Sequence, residues 1–315
     1  MAGRGVVLAS VLAATLAGAE QQPARFFIAG AGRLSVTNAH TGERADVTYR
    51  RADGTYDDAA FAALRRVLRS RGDGSEGPLT SRFVEMLSHL YELTGRRPIR
   101  LLSGYRSPDY NEAIRKRGGK AASASLHTEG MAADLAFPKA DLEDLWHRIR
   151  ALECCGAGYY AASGFLHVDV GRPRFWEAHT SGVGKNLSAE NARLFALTDF
   201  DRYATDDVIV VSLHSMTLPP VRVRATVAIE TAQGVARITA PAADAHGCIE
   251  ADARTRLRIE DAPPVTRGAL LLRPCEPRPG ATPEVVRTNP ITVAPPPATH
   301  APRPPGFVPH HRPRD

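Results

Sequence analysis

The stretch "GFLHVDVG" (164–171) constrains the fold more than any other part of this chain. Side chains alternate across a strand. Leu166, Val168 and Val170 therefore share one face, and Phe165, His167 and Asp169 share the other. The aliphatic row must be buried, so the strand needs a packed layer beneath it. The polar row cannot enter that core. It is left free to line a site on the opposite face.

A second polar pair lies upstream in "SLHTEGMAAD" (125–134), which holds His127 and Asp134. In a continuous helix these two would sit two turns apart, about 10 Å along the axis, too far to share one ion. A turn at Gly130 followed by a strand over "MAADLAF" (131–137) removes that difficulty. Asp134 then shares a strand face with the small residues Ala132 and Ala136, and the chain from His127 can fold back beside it. If this strand neighbours 164–170, then His127, Asp134 and His167 converge. Two imidazoles and one carboxylate with a fourth position open form a donor set suited to catalytic zinc. The set carries one negative charge, so a bound ion stays net positive and acidifies water. The spacing is equally compatible with histidines that each satisfy a local hydrogen bond.

The surrounding pattern supplies the layer. A helix is predicted from Asp57 to Arg69, with Phe61, Leu64, Val67 and Leu68 at helical spacing and Asp57-Asp58 at its start. A second is predicted from Thr80 to Thr94, stopped by Gly95. "IRLLS" (99–103) reads as a strand. A third helix follows, with Ser107 as N-cap and Pro108 at its first position. "DLEDLWHRIRAL" (141–152) reads as a fourth. Residues 25–49 read as short strands turning at "HTGE". The expected class is α+β: a small antiparallel sheet with flanking helices that carry the zinc site. After Trp176 the pattern changes to short β-branched runs, "VIVVSL", "VRVRATVAIE", "RTRLRIE" and "ALLLR", separated by Pro, Gly and Asp. These predict a small all-β domain, of which a sandwich is one form.

The chain opens with Arg4, an apolar run from Val6 to Leu16, and Ala17-Gly18-Ala19. That is the form of a secretory signal peptide, and the run is too short to span a bilayer. The expected organisation is a signal peptide over 1–19, a domain carrying the zinc site over 20–180, a β-rich accessory domain over 181–293, and a Pro-rich basic tail over 294–315 that stays disordered. The net charge of +6 favours an anionic partner. Export turns that preference from nucleic acid towards a bacterial wall polymer, with no stable membrane insertion. In an oxidising compartment Cys248 and Cys275 can pair. Adjacent Cys154 and Cys155 read as small buried residues.

Four stretches together, "SGYRSPDYN" (103–111), "SLHTEGMAAD" (125–134), "GAGYYAASGFLHVDVG" (156–171) and "RFW" (174–176), resemble the YcbK/MepK type of murein endopeptidase. That type falls in the zinc D-Ala-D-Ala metallopeptidase family, within the superfamily shared with lysostaphin and the hedgehog N-domain. The resemblance runs from about residue 30 to 176. It implies that His127, Asp134 and His167 are zinc ligands and that peptidoglycan is the substrate, in the periplasm or elsewhere in the cell envelope. It also implies that Arg106 stabilises a developing oxyanion or holds a substrate carboxylate, and that Ser125 binds substrate or orients His127. Related enzymes often use an acidic residue or a histidine near the third ligand as base. Gly164 stands where one would be sought, so Asp169 is the nearest candidate, either as base or as a carboxylate that orients an imidazole. The expected activity is cleavage of murein peptide cross-links. The alternatives are a D,D-carboxypeptidase removing terminal D-alanine, and a non-catalytic zinc-containing wall-binding protein.

Overall fold

Seven strands form the sheet that carries the two polar stretches in the computed structural model. The structure describes residues 26, 28–119, 121–178, 181–182, 185–186, 194–215, 221–231, 234–239, 243–251, 255–276 and 284–295. The expected signal peptide and the tail from residue 296 lie outside the described residues. In chain order the elements are β1 (Arg33–Asn38), β2 (Arg44–Thr48), α1 (Asp58–Val67), α2 (Ser81–Leu93), β3 (Ile99–Ser103), α3 (Pro108–Lys116), β4 (Ala132–Ala136), α4 (Leu142–Ala151), β5 (Gly156–Tyr160), β6 (Phe165–Asp169) and β7 (Arg174–Glu177). The spatial order is β2-β1-β3-β4-β6-β5-β7.

The α+β class holds, but the sheet is neither small nor purely antiparallel. β1 pairs with β3 in parallel, and β5 pairs with β7 in parallel. The first pair is parallel because the crossover between its strands carries α1 and α2, which return the chain in the same direction. In the second, β6 reverses on β5 and β7 reverses again, so β7 runs along β5.

Three of the helices, α1, α2 and α4, cover one face. α1 buries Phe61, Leu64 and Val67, α2 buries Phe83, Met86, Leu87 and Leu90, and α4 buries Leu145, Trp146 and Ile149. These meet Leu34, Val36, Ile99, Leu101, Ala133, Leu135, Leu166 and Val168 from the strands in one core. Each large apolar side chain buried there contributes about 1.5–3 kcal/mol. Asp57, Thr80, Ser107 and Asp141 cap the four helices by accepting from backbone N–H groups in the first turn. A buried carboxylate ties the N-terminal segment to α2. Glu85 accepts from Gly30 N, Tyr49 OH, Arg50 Nε and Tyr56 OH at 2.7–3.1 Å.

Beyond β7 the described elements are all strands. Leu194–Thr198, Ile209–Ser215 and Arg256–Ile259 form a three-stranded sheet. A larger one includes Thr226–Thr231, Val265–Leu272 and Ile291–Ala294. Both contribute to a second core, with Ile209, Val211 and Leu257 from the first and Val227, Leu270 and Ile291 from the other. Cys248 is bonded to Cys275. Cys154 and Cys155 are bonded to each other, where the sequence favoured two separate buried thiols. Phe195 belongs to the first core and meets Phe175 edge-on at 6.4 Å. Among the described residues, no helix is long and apolar enough to cross a membrane.

Candidate metal centre

Strand register builds the site. Asp134 of β4 lies directly opposite His167 of β6, and Gly158 of β5 lies on the other side of His167. Leu135, Leu166 and Val168 point to the helices, so Asp134, His167 and Asp169 occupy the opposite face. His127 arrives from outside the sheet on a tight turn, in which Thr128 N donates to Ser125 O and Met131 N to Leu126 O. The turn closes at Gly130, whose φ is 64°. A Cβ there would also come within 1.8 Å of Pro78 O, so glycine is required twice over.

One ligand atom from each of His127, Asp134 and His167 lies within 4.8 Å of the other two. His127 Nε2 is 3.3 Å from His167 Nδ1 and 3.6 Å from Asp134 Oδ1. His167 Nδ1 is 3.0 Å from that same oxygen. Each imidazole has its other nitrogen engaged. His127 Nδ1 lies 2.7 Å from Gly104 O, and His167 Nε2 lies 3.1 Å from Asp169 Oδ2. With those nitrogens donating, each ring in its neutral form has its unprotonated nitrogen on the side of Asp134 Oδ1.

Burial and charge compete here. Burial pushes His127 below the ordinary imidazole value, despite Asp134 nearby. For His167 burial works the same way, but hydrogen bonds to Asp134 and Asp169 outweigh it and raise the group. Burial opposes ionisation of Asp134, yet the two imidazoles hold it well below the carboxylate range. Asp169, wholly buried, is brought down to about 2 against its burial, first by Arg174 and then by His167. Both carboxylates are therefore anions at neutral pH, as a cation site requires.

Arg106 reaches the site through Asp134. Its Nη2 lies 2.7 Å from Asp134 Oδ2 and its Nε donates to Ser103 Oγ at 3.0 Å. The guanidinium thus occupies the outer carboxylate oxygen and leaves Oδ1 to the histidines. Ser125 is buried in the turn, and the group that meets the His127 ring is the Gly104 carbonyl. Asp169 meets His167 at Nε2, the nitrogen turned away from Asp134.

Sequence reasoning missed Gly104, Gly156, Gly158, Arg174 and Trp176. Gly104 carries no signal, because its contribution is a carbonyl. The two glycines of β5 fill a different need. A Cβ at Gly156 would lie 2.1 Å from Asp169 Oδ2, and one at Gly158 would lie 2.4 Å from the Trp176 ring. The G-x-G spacing in "GAGYY" is the signal that could have shown a strand with an open floor.

The donor set suits a metal ion. Two neutral imidazole nitrogens and one carboxylate oxygen converge, and each ring is held by an acceptor on its far nitrogen, as metal-binding histidines generally are. The family model described as peptidoglycan L,D-endopeptidase MepK matches residues 28–176. The chain is 33% identical over 147 residues to the peptidoglycan L,D-endopeptidase MepK of Escherichia coli (strain K12), covering 45% of this chain and 79% of that protein. The protein of the same name from Shigella flexneri matches with the same identity and coverage. The probable peptidoglycan L,D-endopeptidase MepK of Haemophilus influenzae is 27% identical over 146 residues, covering 46% of this chain and 78% of that protein. His127, Asp134 and His167 all lie inside the matched span.

Proposed function

The chain belongs to the peptidoglycan L,D-endopeptidase MepK family, and from that premise we propose that it is an exported, zinc-dependent peptidase that hydrolyses peptide cross-links of peptidoglycan. The observation that carries this reading is the convergence of His127 Nε2, His167 Nδ1 and Asp134 Oδ1, each held by a partner on its other side. When bound, zinc supplies Lewis acidity to a peptide carbonyl and lowers the pKa of a water molecule. Gly104 O and Asp169 fix the two rings. Arg106 holds the outer oxygen of Asp134 and sets a positive charge beside the ligand set, the kind of group that stabilises a developing oxyanion. Asp169, buried behind His167, acts as the orienting carboxylate rather than as the base. Ser125 shapes the turn that carries His127. The named relatives support an L,D-bond as the one cut.

The C-terminal β region is read as a sandwich-like accessory domain over 181–293 that targets the enzyme to the wall, aided by the basic tail. Residues 1–19 are read as a signal peptide, and on that reading the mature chain works in the periplasm or an equivalent envelope compartment.

Muropeptide analysis tests the proposal. Purified peptidoglycan incubated with the full chain and zinc should lose cross-linked dimers and gain new peptide ends, and chelator should prevent it. Release of free D-alanine with dimers intact would favour the carboxypeptidase reading. Retention on the wall with no new ends would favour a binder.

A further inference from the structure

We propose that Arg174 is a positioning residue of this metal centre, acting on His167 through Asp169; the inference rests on the reading of His127, Asp134 and His167 as metal ligands.

One carboxylate oxygen serves two partners. Asp169 Oδ2 lies 3.1 Å from His167 Nε2 and 2.8 Å from Arg174 Nη2. The other oxygen, Oδ1, accepts from Gly171 N at 2.9 Å. With both oxygens held, the carboxylate cannot swing, and its aim at Nε2 is fixed. That aim decides which His167 nitrogen faces Asp134 and His127.

The sheet is built to allow this contact. Gly156 of β5 is paired with both Asp169 of β6 and Arg174 of β7. It lies between them, and its missing side chain is the space the carboxylate occupies. Gly156 does not have a positive φ, so the backbone places no demand for glycine there. The demand comes from the carboxylate. Arg174 is braced in turn, because its guanidinium lies over the Trp176 ring at 5.2 Å, and that ring is 5.3 Å from His167. The last strand of the sheet therefore reaches the metal centre through the Arg174–Asp169 ion pair and beside the Trp176 ring.

A carboxylate behind a ligating histidine orients the ring and raises its basicity. Arg174 gives that carboxylate its direction. A purely structural ion pair would change stability on removal and leave the metal centre alone, and this difference can be measured.

The test compares full-length wild type with Arg174→Gln, Arg174→Lys and Gly156→Ala. Zinc affinity is read by competition with a chromophoric chelator, and kcat and KM are measured at saturating zinc on a purified cross-linked muropeptide. Arg174→Gln should weaken zinc binding by about 10–100-fold and lower kcat with KM little changed. Arg174→Lys should recover part of both. Gly156→Ala keeps every charge but crowds the carboxylate, and it should reproduce Arg174→Gln. Zinc affinity and kcat at wild-type levels in Arg174→Gln would overturn the inference. If that variant does not fold, unchanged zinc affinity in Gly156→Ala overturns it instead. A wild type that binds no zinc would remove the ligand reading itself, a result distinct from variants that leave a zinc-binding wild type unaffected.

Discussion

At the scale of single residues, the site turns on which nitrogen each histidine presents. Asp169 provides the sharpest residue test. Asp169→Asn keeps the shape but removes the anion that faces both His167 and Arg174. An orienting carboxylate predicts a loss of zinc affinity of about 10–100-fold in parallel with activity, measured by chelator competition. A dead variant that keeps its zinc would make Asp169 a general base instead. Proton competition gives a second test. Zinc needs a neutral His167, and Asp134 and Asp169 raise that group above its ordinary value against the effect of burial. Protons therefore compete at a higher pH than for an unperturbed imidazole of pKa about 6.5. Apparent zinc affinity should therefore still be rising with pH above that value, and a profile already level there would contradict the assignment.

At the scale of elements, α2 provides an independent check on the scaffold. Glu85 is buried in its core-facing side and accepts from Tyr49, Arg50, Tyr56 and Gly30. Glu85→Ala would leave the buried Arg50 without its carboxylate. It should cost about 3–5 kcal/mol, read as a lowered unfolding midpoint. The helices and the strands β3, β4 and β6 were legible in the sequence, because their apolar spacing and their caps at Asp57 and Ser107 act locally. β5 was not. "GAGYY" lacks the alternating apolar pattern, since its two glycines exist to leave room for Asp169 and Trp176, which come from other strands. The parallel pairings were hidden for a similar reason: they depend on crossovers, which no local window contains. His127, Asp134 and His167 were legible as residues. Gly104, which meets His127, and Arg174, which meets Asp169, were not, because a backbone carbonyl has no sequence signature and an arginine five positions from Asp169 looks like a surface charge.

At the scale of the whole molecule, the proposed division between cutting and attachment follows the two hydrophobic cores, in a chain of net charge +6. Residues 20–180 should cleave soluble muropeptides nearly as well as the full chain. They should bind intact sacculi less well, with the largest deficit at low salt, where attraction is least screened. Removing Phe195 takes away its edge-on contact with Phe175, so the truncated form should unfold at a lower midpoint. A folded truncation that is inactive on soluble substrate would contradict the targeting role. The central claim is that one zinc, held by His127, Asp134 and His167, makes this chain a hydrolase. Elemental analysis of the full chain beside His127→Ala tests it most directly, because histidines elsewhere contribute equally to both. The account predicts a difference of one zinc per chain, with hydrolysis of cross-linked muropeptides lost in the variant while its fold is kept. Equal zinc in the two proteins, or full activity in a folded His127→Ala, would contradict it.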